Sequence, residues 1–136
     1  MSDARQKQFQ AMGAEGCLFF SMTNYAETLR GGYIDSLRAY NDLLRAGTMT
    51  ERCYVNDIAA AFSYLTQQKW TCEKRDVGAA LAVGELEITR LEKQGTVATL
   101  THFVCTDGFG NVTYDPLGAD LSAWHPAKKY VFRRIA

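Results

Sequence analysis

Gly16-Cys17-Leu18-Phe19-Phe20-Ser21 is a short turn that runs straight into a long apolar segment. From there Leu18, Met22, Tyr25, Ala26 and Leu29 recur at helical spacing, and Gly31-Gly32 supply a C-terminal stop. The pattern predicts a helix with Cys17 in its first turn. Unpaired backbone N–H groups and the positive end of the macrodipole there favour a thiolate over a thiol.

Working outward, residues 3–11 read as a short helix or an adaptable arm, docked on the body by Phe9 and Met12 and broken off by Gly13 and Gly16. Downstream, Ile34, Leu37, Tyr40, Leu43 and Leu44 describe a second amphipathic helix ended by Gly47. Asn56 or Asp57 caps a third, through Ile58, Ala59, Phe62 and Leu65. The chain then changes character. Residues 70–73 read as a first strand, and 86–91 alternate cleanly between apolar and polar. Residues 97–106, rich in Thr, Val and Phe, read as a central strand. Residues 107–111 hold two glycines between apolar runs and predict a hairpin turn into 112–115, and Tyr130-Val131-Phe132 forms a last strand. Helices first and an antiparallel sheet second make an α+β fold, one domain over 1–136 with 1–12 as its arm.

At 136 residues with 47% hydrophobic content, the chain is long enough for a substantial core. Fifteen basic residues balance fifteen acidic ones, so no nucleic-acid or anionic-membrane partner is expected. No run approaches the ~20 apolar residues of a bilayer span, and residues 2–10 lack the apolar core of a secretion signal; the expectation is a cytoplasmic protein, or one exported without a conventional signal. Cys17, Cys53, Cys72 and Cys105 show no CxxC spacing, which argues against a metal site, and in a reducing compartment they are expected to be free thiols. No cofactor motif is present.

Chemistry concentrates in two places. With the hairpin turn centred between Gly108 and Phe109, His102 lies directly opposite Asp115, their Cβ atoms roughly 4.5–5.5 Å apart. A one-residue slip would put them on opposite faces. In that register the carboxylate accepts the imidazole N–H, fixes its tautomer and stabilises the imidazolium. Cys17, at a helix start packed on the strands, then supplies a nucleophile. Each residue also has a structural reading: a cysteine in an apolar context packs as a small core residue, a strand histidine is hydrogen-bonded, and Asp-Pro makes a turn. His125, between Trp124 and Pro126, reads as an ordered-loop residue and the weaker base, while Cys53, Cys72 and Cys105 read as core thiols. Ser21, Asn24 and Thr28, on the stripe below Cys17, read either as a cleft wall or as a helix edge meeting solvent.

Gly16-Cys17 at the head of an apolar helix, then His102-Phe103-Val104, then Gly110-Asn111-Val112-Thr113-Tyr114-Asp115-Pro116, resembles the papain-like cysteine peptidases. In style the chain is similar to the compact peptidase domain that trims double-glycine leaders on bacteriocin exporters. It also resembles an uncharacterised family of short bacterial and phage-borne proteins with a Gly-Cys-[Leu/Tyr]-Phe start and a His-Phe-Val end. The resemblance implies a papain-like fold with Cys17 as nucleophile, His102 as general base and acid, and Asp115 as the orienting residue. It further implies an oxyanion-binding Gln six residues before the nucleophile. That position is Ala11, so Gln10 takes the role only if the segment before Cys17 carries one extra residue. Leu18 stands where those domains have Gly.

The reading is therefore a cysteine peptidase or amidase acting on a peptide or protein substrate through a thioester. The alternative is a degenerate papain-like module that binds a peptide or protein partner, favoured by the Gln10 displacement. The oligomeric state is left open.

Overall fold

Left-handed backbone at Gly31 (φ +73°), with its N–H bonded to Glu27 O at 2.9 Å, ends the first helix where the Gly31-Gly32 pair predicts it. The computed structural model describes Gln8, residues 16–118 and residues 120–135. Its helices are α1 (Cys17–Arg30), α2 (Ser36–Arg45) and α3 (Ile58–Thr66). Its strands are β1 (Trp70–Arg75), β2 (Leu86–Gln94), β3 (Thr99–Thr106), β4 (Val112–Tyr114) and β5 (His125–Arg134). Among the described residues the strands form one antiparallel sheet in the order β1-β5-β2-β3-β4. The fold is α+β, with N-terminal helices and a C-terminal sheet.

The first half of α1 is buried all round, from Cys17 to Thr23, so it is a central helix rather than a one-sided surface helix. Thr23 lies there at no polar cost, because its hydroxyl donates to Phe19 O at 2.8 Å. Asp35 and Asp57 cap α2 and α3 by accepting from Arg38 N and Ala60 N. α2 buries Ser36, Ala39 and Leu43, which leaves Leu37 exposed instead of on the packed stripe. The helices cover the sheet face that carries Ile88, Cys105, Tyr130 and Phe132. Phe62 on α3 meets Phe132 and Trp70 at ring-centroid distances of 4.3 and 5.0 Å.

Strand alternation turns Glu87, Thr89, Leu91, His102, Val104, Thr106 and Lys129 to the other face. Two ionic clusters built on buried carboxylates sit on that side. Lys129 Nζ lies 2.9 Å from Glu87 Oε1, and Glu85 lies between Arg75 and Arg133. Residues from the connections after β1, β3 and β4 enclose a cleft of about 470 Å³ over this face, with Leu91, Thr106 and Lys129 among its floor residues.

β5 runs from His125, well before the Tyr130-Val131-Phe132 expected from hydropathy. Lys129 is buried through its partner Glu87, and Pro126 enters at the bulge between Arg90 and Leu91, beyond the reach of β1. His125 is thus a strand residue opposite Glu92, not a loop residue. β3 begins at Thr99; Val97 stands exposed in the preceding turn.

Candidate functional site

Three contacts tie the start of α1 along β3. Ser21 Oγ donates to Phe103 O at 3.3 Å, Cys105 Sγ donates to Ser21 O at 3.3 Å, and Asn24 Nδ2 approaches Cys105 Sγ at 3.9 Å. Ser21 is therefore buried and lines no cleft, while Thr28 is exposed and bonds Asn24 O. With the helix fixed in this way, Cys17 lies beside the strand at His102-Phe103.

His102 joins the two ends of the site. Its Nδ1 is 3.0 Å from Cys17 Sγ, and its Nε2 is 2.6 Å from Asp115 Oδ1. The carboxylate can only accept, so these partners assign the imidazole proton to Nε2 and leave the Nδ1 lone pair facing the thiol. Asp115 is itself held by Leu117 N–H, which donates to Oδ1 at 2.9 Å. Trp124 packs its ring 5.6 Å from that of His102, and Lys93 Nζ lies 5.8 Å from the Trp124 ring on another approach. Nothing in the spacing of Trp124-His125-Pro126 pointed to that contact.

The expected residues do meet, by a different register. The Asp107 carboxylate accepts from Phe109 N–H and from the backbone and side-chain N–H groups of Asn111, which closes the turn, and the ladder shifts between Cys105 and Thr106. Cys105 then pairs with Tyr114, and continuing that register sets Asp115 against Val104 rather than His102. The displacement is two residues, so Asp115 keeps the His102 face and reaches it diagonally.

The electrostatics correct a second expectation. Cys17 and His102 are 0% and 1% exposed. Burial pushes the Cys17 thiol up to about 12, and the nearby Asp115 charge adds to this. A hydrogen bond with the Phe103 backbone works in the opposite direction without prevailing. The helix terminus therefore does not yield a resting thiolate. Burial thus favours the protonated thiol at Cys17, with His102 bridging it to Asp115.

Gln10 lies outside the described residues, as does nearly all of the expected arm. Gln8 is described, and its carboxamide is engaged at Ser36: Oε1 accepts from Ser36 Oγ at 2.6 Å and Nε2 donates to Ser36 O at 3.1 Å. Cys53 and Cys105 are buried thiols, and Cys72 is half-buried.

Fold and site together define an α+β protein built around a Cys–His–Asp line whose thiol and imidazole are buried. The model of a family described as "Protein of unknown function, DUF261" matches residues 2–133, and the chain belongs to that family. No curated protein matches the chain. No solved structure matches it either.

Proposed function

We propose that the protein is a papain-like cysteine hydrolase that cleaves a peptide or isopeptide bond. The observation that carries this reading is the continuous Cys17 Sγ–His102–Asp115 hydrogen-bonded line. Its three members come from the head of a helix, the middle of a strand and the end of a hairpin, and a core thiol needs no such arrangement. His102 Nδ1 takes the Sγ proton as sulfur attacks the carbonyl carbon. The imidazolium formed is stabilised by Asp115, and it then protonates the leaving nitrogen as the C–N bond breaks. Water, deprotonated by His102, hydrolyses the thioester and restores the thiol. The backbone N–H of Cys17 supplies one oxyanion donor, and Gln10 is the proposed second.

One observation favours a second reading, a papain-like module that binds a peptide or protein partner without turnover. Cys17 is closed off and its thiol is pushed up to about 12, so reaction requires the site to open. Either reading is proposed for a reducing, cytoplasmic setting. Among the described residues no helix is long and apolar enough to cross a membrane.

The test is hydrolysis of peptide-amide and isopeptide pools, followed by mass spectrometry, for wild type and for Cys17→Ala. Cleavage by wild type alone, with an acyl adduct on the Cys17 peptide after acid quench, is expected. Retention of intact peptides by both proteins, without cleavage, replaces the hydrolase with the binding module.

A further inference from the structure

The strand that carries His102 has one unpaired flank. β2 covers one side of β3 along its whole length, whereas β4 covers the other only at Cys105 and Thr106. The phase of the ladder shows which groups face the open side. Gly95 N–H bonds Ala98 O, which makes Lys93↔Leu100 and Leu91↔His102 the hydrogen-bonded pairs of the β2–β3 hairpin. Thr99, Thr101 and Phe103 then present their N–H and C=O groups outward. Phe103 is engaged by α1, through Ser21 Oγ at its carbonyl and through the Cys17 thiol. Thr99 and Thr101 have no strand beside them among the described residues, and their side chains are exposed.

This flank is also undefended. Proteins blunt exposed edges with charges, prolines, bulges or very short strands. The opposite edge of the sheet, β1, carries Glu73, Lys74 and Arg75, and β4 has three residues only. Thr99-Leu100-Thr101 holds no charge and no proline, and it runs directly into the two residues that hold the thiol.

We propose that the open flank of β3 is the substrate-binding edge. An extended peptide adds to it as a further strand, exchanging backbone hydrogen bonds with Thr99 and Thr101, and its continuation carries the scissile carbonyl to Cys17. This rests on Cys17 being the nucleophile and adds the substrate class: an unfolded, extended segment recognised through its main chain, with broad side-chain tolerance. Two outward residues lie two positions apart, so alternate residues of the peptide supply the N–H groups. The requirement is a free run of main chain, which a lone side-chain amide does not offer.

Binding is testable without turnover. The probes are four acetylated, amidated pentapeptides of unrelated uncharged sequence, added at millimolar concentration to the isotopically labelled Cys17→Ala protein. The Thr99 and Thr101 amides are expected to shift and to exchange about tenfold more slowly with all four peptides, while the Leu100 and His102 amides, bonded to β2, stay unchanged. N-methylating every second peptide residue weakens binding about tenfold in one phase and little in the other, the size of one lost hydrogen bond or more. Shifts centred on β1 or on the cleft beside Trp124, no shift at all, or equal effects of both methylation phases overturn the proposal. Failure of the hydrolase reading has a different signature: peptides seat on Thr99 and Thr101 as described, but wild type cleaves nothing.

Discussion

Lys129→Met removes the cation from the most enclosed ion pair among the described residues. Lys129 and Glu87 side chains are 6% and 1% exposed, 2.9 Å apart. Lys129 Nζ also donates to Ala79 O at 2.7 Å, which ties the β1–β2 connection to the sheet. Thr106 Oγ1 donates to the other Glu87 oxygen and lies 2.7 Å from Thr89 Oγ1. Lys129 Nζ and Glu87 Oε1 thus meet as a close, water-excluded charge pair. At an effective dielectric of about 20 the gross attraction at this distance is ~6 kcal/mol, and desolvation of each ion costs several kcal/mol. The intact pair thus contributes little net stability. Breaking it is another matter: the Glu87 carboxylate is left buried without its counter-charge, which costs ~3–5 kcal/mol of a total of ~5–15 kcal/mol. Urea denaturation at pH 7 should show that loss, with a Tm lower by on the order of 10–20 °C. The double variant Glu87→Gln/Lys129→Met keeps the shape, removes both charges and should recover at least ~2 kcal/mol. A single-variant cost below ~1 kcal/mol, or a double variant no better than the single, refutes the reasoning.

Two pH limbs follow from other buried groups. Burial raises the Cys17 and Cys105 thiols from 9.0 to about 12, so the unfolded chain loses these protons first; stability is intact below pH 9 and falls as pH rises towards 12. Each thiol steepens the fall by up to ~1.4 kcal/mol per pH unit, and Cys105→Ala should make the decline between pH 9 and 10.5 shallower by that order in urea titrations. Glu85 behaves oppositely. Hydrogen bonds from Arg75, the Ala82 N–H and Arg133 hold its carboxyl at about 2, so its contribution is complete above pH 4.5 and is lost as pH falls through 2. Glu85→Gln should flatten that acid limb in thermal melts, and an unchanged limb would remove Glu85 from the account.

The helices were legible because their signals are local. Asp57 caps, Gly31 stops, and Leu18, Met22 and Ala26 recur at the right spacing, all within a few residues. The strand boundaries of β5 were not, because Lys129 reads as solvent-facing until Glu87, more than forty residues earlier, is placed beside it. The pairing of His102 with Asp115 was reached through a register that is two residues off. The face survives an even displacement, so the side chains meet even though the turn differs. The state of Cys17 went the other way. A helix N-terminus is visible in the sequence, but the burial that outweighs it comes from elements far along the chain. Trp124 against His102 was silent for the same reason.

The most direct test of the central claim is the pH-rate profile for iodoacetamide alkylation of Cys17, resolved by peptide mapping, in wild type and in His102→Ala. If His102 takes the thiol proton when the site opens, wild type reacts between pH 6 and 8 at least ~10-fold faster than the variant, within the range of general-base assistance. The variant should then gain rate only as pH climbs towards the ordinary thiol range near 8.5. Superimposable profiles would leave Cys17 as a buried core thiol and contradict the account.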